Sequence, residues 1–594
     1  MLENLPVVRS APARALFLAS AIVTVATLVW SHHLKLSGAM HGLTPIYYFL
    51  FTSLDYPAAA VALLILVIAA LVPGGTGLRS ILRWTGEHPF GIAVVCTLAM
   101  CLGAVTVYHN HPLSMDEYAP YFQSQAFAAG HLAGQFPAPL LDWLVPPYFQ
   151  DYFLFVSPVT GQVASTYWPS FALLLAPFTF LGIPWACNPL ISGLTLLAIH
   201  RLALAVFADR ESAGMAVLLT AASPVFFANG ISYYSMPAHL LANTVYALLL
   251  VQPTARKALL AGVVGSVALT LHNPVPHILF ALPWLIWMAA RTGGLKQLGW
   301  LIAGYLPLCL LLGLGWFWFT TDLQQSGLNA GAMAEVHAAG LQRIAGAFSM
   351  PSWSLLLARL ISLAKVWLWA VPGLLILAGI GARRWRRNPV CRLLLYSALT
   401  TFAGYLLVPA DQGHGWGYRY FHSAWLALPI LATAAFASEP AGRLDAPNTR
   451  SNAGAGSSAS GVWTTGLDAT RSFVTVCALL TLVIGVGFRA RQMNGFIGKD
   501  LQQVPAYLGT EPRVVIINVD DSFYGVDLVQ NDPWLRGGVI RMISHDTAAD
   551  AQMMGQYFPT LHQVFTDASG SVWSAGPVKP GAIAGTSAPA AGAR

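Results

Sequence analysis

The chain has 594 residues, of which 56% are hydrophobic and only 9% are charged, with a mean hydropathy of +0.60 and a net charge of +7. Soluble domains carry roughly 25% charged residues, so this composition excludes an ordinary cytosolic enzyme, a disordered protein and a disulfide scaffold. Long Leu- and Ala-rich runs indicate membrane-spanning helices rather than barrel strands. The basic excess does not indicate nucleic-acid binding, because membrane proteins collect Lys and Arg in cytoplasmic loops.

Apolar stretches of roughly 17–25 residues mark the candidate spans, and about 13 are predicted. They are residues 14–31, 56–73, 89–108, 186–207, 213–230, 237–252, 258–272, 275–290, 298–319, 355–382, 390–409, 421–437 and 472–488. The first has no small-residue cleavage site, so we expect a retained helix. With the N-terminus inside, 18 basic residues of the membrane domain fall on the cytoplasmic side and five on the other side, namely Lys35, Arg343, Arg359, Lys365 and Arg419. This asymmetry supports the predicted topology.

One apolar run, residues 169–183, is not counted as a span. It is short, contains Pro169 and Pro177, and would reverse the sidedness of every later loop. We predict a helix lying on the outer membrane face.

The chain divides by composition into five parts. They are a pair of additional transmembrane helices (1–88), the main membrane domain (89–437) with its outer loop 109–185, a flexible cytoplasmic linker (438–470), the last transmembrane helix (471–488) and a small extracytoplasmic α/β domain (489–594). The β-branched run Val514–Val519 predicts a buried strand in this last domain, and the Pro/Ala/Gly-rich stretch after about residue 576 predicts disorder. Six cysteines lie in apolar runs and predict buried hydrophobes without disulfides.

The outer loop opens with Asp116-Glu117, which is the only adjacent acidic pair in the membrane domain. Carboxylates near a membrane boundary are costly unless used or paired, so one could act as a general base or hold a divalent cation such as Mg²⁺ or Mn²⁺. Ser114 and Glu117 equally fit a capping box, a purely structural role, although Pro120 would then fall inside the helix. Adjacent helix positions diverge, so we expect one carboxylate to react while the other orients it.

Further segments follow this pair in a fixed order between residues 89 and 437. They are Tyr118-Ala119-Pro120-Tyr121-Phe122 with a helix to about Leu132, the Pro-rich segment 167–178, a basic turn from Arg201 to Arg210, Ser223-Pro224, Ser235-Met236-Pro237-Ala238, and Gly417-Tyr418-Arg419-Tyr420-Phe421. Together with Asp116-Glu117, this series resembles the GT-C class of polytopic glycosyltransferases, in particular the family 39 branch of protein mannosyltransferases and lipid A aminoarabinose transferases. The two spans before residue 89 depart from that family's arrangement.

The resemblance implies a GT-C-type helical bundle and an enzyme that moves a hexosyl or pentosyl group from a polyprenyl-phosphate donor to an acceptor on the extracytoplasmic face. It implies Asp116 as the base for the acceptor hydroxyl, with Glu117 assisting or contacting the acceptor. A lipid-phosphate leaving group needs positive charge, for which Arg419 with Tyr418 and Tyr420 is the candidate and Lys365 a further one. The alternative for Arg419 is an interfacial side chain that reaches toward headgroups.

The expected partners are the donor, the bilayer and a glycan, lipid or protein acceptor, without nucleic acid. The expected location is a bacterial inner membrane, with a cytoplasmic N-terminus and a periplasmic or extracellular tail domain. His109, His272, Asn273 and His414 are candidates for lining the donor cavity, but no histidine pair has a metal-ligand spacing. Asp411, Gln412 and His414 predict a solvated turn, with contacts to sugar or metal as the alternative. Asp520-Asp521 are assigned no role.

Two other functional classes remain open at the level of sequence. A transporter or flippase for a lipid-linked sugar would show inverted repeats and ionisable residues at mid-membrane depth; the spans show no clear repeat. An envelope scaffold would leave Asp116 and Arg419 dispensable.

Overall fold

The computed structural model describes residues 10–38, 40, 42–72, 76–328, 350–438, 457–505, 513–520 and 522–575. Residues 439–456 of the predicted linker, the predicted disordered tail beyond 575, Arg343 and Asp521 lie outside the described residues.

The chain forms two compact units. The first comprises Met1–Pro112, Tyr167–Phe319 and Asn329–Gly495, and the second comprises Leu113–Thr166, Thr320–Leu328 and Phe496–Arg594. In chain order the helices are α1 (Ala11–Ser37), α2 (Pro45–Leu71), α3 (Thr76–Glu87), α4 (Pro89–Thr106), α5 (Met115–Ala128), α6 (Leu141–Leu144), α7 (Ser170–Phe180), α8 (Pro184–Phe207), α9 (Arg210–Ala221), α10 (Pro224–Gly230), α11 (Met236–Leu250), α12 (Ala255–Leu269), α13 (Val275–Ala290), α14 (Gly294–Gln325), α15 (Trp353–Leu368), α16 (Leu374–Arg384), α17 (Pro389–Leu407), α18 (Ala427–Ala434), α19 (Gly466–Asp500) and α20 (Thr547–Tyr557).

Within the described residues, seven helices are long and apolar enough to cross a membrane, and an eighth span results if the bent pair α9 and α10 counts as one. The seven are α1, α2, α4, α8, α14, α17 and α19. The protein is therefore an integral multi-pass membrane protein, as expected. The remaining predicted spans correspond to shorter or interrupted helices, so the number 13 stays a prediction.

Two of those predicted spans are interrupted for reasons that hydropathy does not register. Residues 355–382 form two helices: α15 ends at Leu368, and α16 begins after Gly373, which adopts a left-handed backbone (φ 87°). Residues 421–437 contain part of a 3₁₀ segment, Arg419–Ala424, and the eight-residue helix α18. The run 169–183 contains the 11-residue helix α7, and its placement on the outer face stays a prediction.

The two N-terminal helices contribute to a common core. Tyr47 and Phe51 of α2 and Leu34 of α1 pack with Ala358 and Ile361 of α15, and all five side chains are buried. Tyr47 also donates a hydrogen bond to the carbonyl of Ala358 (3.0 Å). These helices are thus integrated with the later part of the chain.

Close helix packing in the first unit relies on glycine. A Cβ at Gly262 of α12 would lie 2.0 Å from the carbonyl oxygen of Leu301 in α14, and a Cβ at Gly304 would lie 2.1 Å from that of Leu259. Only glycine permits this approach of two backbones, as is typical of membrane helix pairs.

The second unit holds two small sheets. One is antiparallel, with strands β1 (Gly134–Gln135), β2 (Leu154–Val156) and β3 (Gln162–Ser165) in the order β1-β3-β2. The other is mixed, with β4 (Arg513–Ile517), β5 (Val539–Ile543), β6 (His562–Asp567) and β7 (Gly570–Ser574) in the order β5-β4-β7-β6. Strand β4 confirms the predicted strand, and its Val515 and Ile517 pack with Leu528, Ile543 and Val572. The expected fold class, a mainly helical membrane protein with a small C-terminal α/β region, is confirmed.

All six cysteines are free. Cys187, Cys391 and Cys477 are buried as expected, whereas Cys96, Cys101 and Cys309 are only partly buried.

Candidate functional site

The predicted site residues divide between the two units. Asp116 and Glu117 belong to the second unit, whereas Arg419, Tyr418, Tyr420, Lys365 and the candidate histidines belong to the first.

The acidic pair stands in the first turn of α5, where its two side chains have different environments. Glu117 is fully buried, and its Oε2 accepts a hydrogen bond from the backbone N–H of Leu113 at 2.6 Å. Asp116 is only partly buried. Ser114 is the N-cap residue but makes no side-chain capping bond. The carboxylate of Glu117 therefore satisfies a backbone donor ahead of the helix, much as the third helical residue of a capping box does, while Asp116 is the more accessible group.

Pro120 lies inside α5 without ending it. Because proline has no N–H, it cannot donate the helical hydrogen bond to the carbonyl of Asp116. The helix nevertheless continues to Ala128, so Pro120 is compatible with a helix that begins after Ser114.

A further carboxylate of the second unit, Asp527, lies at this turn. Asp527 is buried and accepts a hydrogen bond from the backbone N–H of Met115. Burial, followed by repulsion from Asp500 and Asp116, raises the pKa of Asp527 well above its ordinary value. Sequence reasoning missed Asp527 and Asp500, since nothing in the local pattern links them to a turn some four hundred positions earlier.

The same turn region is held by the C-terminal segment of the chain. The hydroxyl of Tyr118 donates to the carbonyl of Asn531 (2.6 Å) and accepts from the N–H of Asn531 (2.8 Å). The N–H of Gln135 donates to the carbonyl of Pro533 (2.7 Å). Residues 531–533 therefore hold both the first turns of α5, through Tyr118, and strand β1, through Gln135.

In the first unit, Arg419 is buried rather than directed to solvent. Its Nη2 donates to the carbonyl of Gln412 (2.6 Å), and its guanidinium lies over the rings of Tyr234 (4.9 Å) and Tyr420 (5.5 Å). A guanidinium held against aromatic faces and a carbonyl is preoriented. This environment does not fit an Arg that reaches freely toward headgroups.

Gln412 organises the loop that carries Arg419. Its Oε1 accepts from the N–H of Arg419 (2.9 Å), and its Nε2 donates to the carbonyls of Gly415 (3.2 Å) and Gly417 (2.9 Å). Gln412 and His414 are both buried, so the expectation of a solvated turn is wrong for these two residues. The reason is that their polar groups bond within the loop or pack inside the protein instead of facing water.

Asp411, also in this loop, accepts hydrogen bonds from the N–H and the hydroxyl of Thr44 (2.8 and 2.7 Å) at the start of α2. Tyr420 stacks on Tyr405 with ring centroids 4.6 Å apart, and its hydroxyl donates to the carbonyl of Asp411 (3.2 Å). Tyr418 is buried. The Gly-Tyr-Arg-Tyr segment is thus connected through Asp411 to the N-terminal end of α2.

Lys365 is engaged by a buried group of charges, here named the Asp55 triad: Asp55, Lys365 and Arg489. The carboxylate of Asp55 lies 2.8 Å from Nζ of Lys365 and 2.8 Å from Nη1 of Arg489, and it accepts from Nε1 of Trp369 at 2.7 Å. All three charged side chains are at most 3% exposed. The ammonium of Lys365 therefore has an internal partner, which makes it a poor candidate for binding a donor phosphate.

The candidate cavity residues are not alike. His109 is exposed, and its Nε2 is 2.7 Å from Oδ1 of Asn494. His272 is partly buried, stacks against Tyr167 with centroids 3.9 Å apart, and accepts through its carbonyl from the N–H of Trp168 (3.1 Å). Asn273 accepts from the N–H of Val275 (3.1 Å). Their contribution to a donor cavity stays a prediction.

Among the described residues, no group of three or more His, Cys, Asp or Glu side chains is arranged to hold a metal ion. The divalent cation considered from the sequence thus finds no ready ligand set in the part of the chain that the structure describes.

No protein-family model matches the chain, and no curated protein matches it significantly. Among solved structures the chain is similar to ArnT from Cupriavidus metallidurans bound to undecaprenyl phosphate, with 12% identity and a TM-score of 0.49 over 82% of this chain and 98% of that chain. The apo form of ArnT from Cupriavidus metallidurans gives 13% identity and a TM-score of 0.47 over 82% and 99%. ArnT is a lipid A aminoarabinose transferase, one of the types that the sequence resembles.

Proposed function

We propose that this protein is a membrane glycosyltransferase of the GT-C type that moves a hexosyl or pentosyl group from a polyprenyl-phosphate donor to an acceptor hydroxyl. The observation that carries the proposal is the difference in burial between the two adjacent carboxylates, Asp116 and Glu117, in the first turn of α5. Glu117 is buried and bonded to the N–H of Leu113, whereas Asp116 is partly exposed. A general base must be accessible to its substrate and held in position. The partial exposure of Asp116 and its place in a helix turn anchored by Glu117 support the proposal.

In the proposed reaction, the oxygen of the acceptor hydroxyl bonds to the anomeric carbon of the sugar. The carboxylate of Asp116 takes the proton of that hydroxyl. The bond from that carbon to the phosphate oxygen breaks, and the lipid phosphate keeps the electron pair. The developing negative charge needs a cation, and Arg419, flanked by Tyr418 and Tyr420, is proposed for this role. Glu117 acts as a positioning residue, and Lys365 is assigned to the Asp55 triad instead.

The proposed setting is the extracytoplasmic face of a bacterial inner membrane. The support is the distribution of basic residues along the sequence, with 18 on the predicted inner side. A lipid-phosphate donor suits a membrane protein because its tail remains in the bilayer while its phosphate stays at the interface.

The test is transfer by purified Asp116→Asn protein in nanodiscs that contain a polyprenyl-phosphate sugar, with release of polyprenyl phosphate as the readout. We expect a loss of roughly 10²- to 10⁴-fold, the typical contribution of a general base. The matched control is Asp142→Asn, an exposed aspartate of the same outer loop, which should retain transfer. Undiminished transfer by Asp116→Asn would refute the assignment of the base.

Glu117→Gln separates positioning from chemistry. Its amide oxygen can still accept from the N–H of Leu113, so most of the transfer should persist. If Glu117→Gln were as inactive as Asp116→Asn, Glu117 would instead have to take part in the reaction.

Translocation of a lipid-linked sugar is the second candidate function, and the Asp55 triad favours it, because ionisable groups within membrane helices often mark transport pathways. Vesicles that contain the donor but no acceptor distinguish the two functions. A transporter would move the donor between leaflets both as the unmodified protein and as the Asp116→Asn variant. The proposed transferase would not move the donor in either case.

A further inference from the structure

A basic groove lies at the junction of α16 and α17, outside the candidate site. It has a volume of about 470 Å³ and is lined by Ala382, Arg386, Arg387, Arg392, Leu395 and Tyr396. All three arginines are exposed. The groove is thus open, and its lining includes three guanidinium groups.

The backbone around the groove is firmly held. Trp385 is 1% exposed and packs edge-on against Phe207 with ring centroids 5.0 Å apart. Asn388 caps α17 by accepting from the N–H groups of Val390 and Cys391 (3.0 and 3.1 Å). Arg386 and Arg387 therefore project from a short turn between a buried anchor and a capped helix.

The positive charge of this region has no nearby compensation in the sequence. Residues 369–410 contain no Asp or Glu. Within the described part of the chain, none of Arg386, Arg387 and Arg392 forms an ion pair. Arg383 and Arg384 already stand in the last turn of α16, where cations stabilise the helix terminus, so helix-end stabilisation does not require the other three.

The exposed face of α17 continues beyond the groove as an apolar surface. Tyr396 and Leu399 of α17 are 46% and 55% exposed. Arg392 and Tyr396 are four positions apart and so share one helix face. A ligand that fits has a negatively charged head at the arginines and an apolar chain along Leu399.

We propose that this groove binds the phosphodiester headgroup of an anionic phospholipid, with Arg386, Arg387 and Arg392 contacting the phosphate and the acyl chains lying along α17. Guanidinium groups bind phosphate oxygens in pairs, and basic pockets between membrane helices are suited to anionic lipid headgroups. The site is independent of the proposed transferase chemistry.

The test measures association of spin-labelled phosphatidylglycerol with the full-length protein in phosphatidylcholine nanodiscs. The variant carries Arg386→Gln, Arg387→Gln and Arg392→Gln together. The matched control carries Arg256→Gln, Lys257→Gln and Lys296→Gln, three exposed basic residues on the same predicted side of the membrane. We expect the first variant to lose preferential association by roughly tenfold or more, since each basic group near an anionic lipid contributes several-fold, and the control to bind like the unmodified protein.

Equal binding by the first variant would overturn the proposal, and so would an equal loss in the control, which would indicate only general attraction to basic loops. Competition by inorganic phosphate as strong as that by the lipid would also overturn it, because it would indicate an ion site. Glu439 follows α18 closely in the sequence. If lipid bound to the Glu439→Gln variant but not to the unmodified protein, the carboxylate of Glu439 would be the natural occupant of the groove, and the proposal would be wrong.

Discussion

At the scale of single residues, the buried carboxylate of Asp55 is expected to contribute strongly to stability. Its carboxylate is the internal partner of both Lys365 and Arg489. Removing one member of a buried charge group typically costs about 3–5 kcal/mol, whereas replacing the whole group with apolar residues is often neutral. We therefore expect Asp55→Leu to lower the midpoint of thermal unfolding in detergent strongly. The triple variant Asp55→Leu, Lys365→Met, Arg489→Met should be more stable than Asp55→Leu alone.

Lys35→Met, which removes an exposed basic residue of α1, is the control and should change the midpoint little. If the single and triple variants unfolded at the same temperature, the buried charges would not depend on one another and the triad would be energetically unimportant.

A second residue-scale consequence concerns Asp527. Its pKa is raised above the unfolded value of about 3.9 by burial, by Asp500 and by Asp116. The folded state thus binds this proton more tightly than the unfolded state. The stabilising contribution is fully present below about pH 3.9 and is lost as the pH rises through the raised folded pKa. We expect Asp527→Asn to lessen the decline in unfolding temperature as the pH rises above about 4.

The exposed Asp520→Asn is the matched control and should leave the pH dependence unchanged. A decline of the same steepness in Asp527→Asn and in the unmodified protein would show that Asp527 does not bind the proton in question.

At the scale of elements, the loop 411–419 fixes Arg419 through glycine as well as through Gln412. Gly415 has a φ of +122°, and a Cβ there would lie 2.7 Å from Cδ of Arg419. Gly413 also has a positive φ, +58°, but nothing lies within 4 Å of its Cβ position. If Arg419 binds the donor phosphate, Gly415→Ala should raise the donor KM on the order of tenfold, because small displacements of a binding group are costly.

Gly413→Ala introduces milder backbone strain, because a φ of +58° lies in the left-handed region that other residues can adopt. It also makes no contact with Arg419, so its donor KM should change less. Equal donor KM values for the two variants would mean that the position of Arg419 does not control donor binding.

At the scale of the whole molecule, hydropathy predicted the membrane class and the strong spans α1, α2, α4, α8, α14, α17 and α19. It could not predict the interruption between α15 and α16, because a left-handed glycine such as Gly373 leaves mean hydropathy unchanged. The strand β4 was visible in the β-branched run beginning at Val514. Its neighbours β5 and β7 were not, since pairing between distant segments leaves no local signal.

The candidate site was predictable only where its residues are adjacent in sequence. Asp116, Glu117 and the Gly-Tyr-Arg-Tyr segment are visible as motifs, and the local pattern of Ser114 and Glu117 correctly suggested a helix start. By contrast, the hydrogen bond between Tyr118 and Asn531 joins residues 413 positions apart, and the ion pair of Lys365 with Asp55 joins residues 310 positions apart. No spacing rule covers such distances.

The pairing of Asp55 with Lys365 has a consequence for how the chain is assembled. Lys365 is synthesised 310 positions after Asp55, and Arg489 later still. The second helix must therefore enter the bilayer with an acidic side chain and neither of its cations. Because a lone carboxylate in apolar surroundings is unfavourable, this helix should remain loosely placed until α15 arrives. Its final position would then be set by segments made last, and protein synthesis interrupted before α15 should leave α2 weakly inserted.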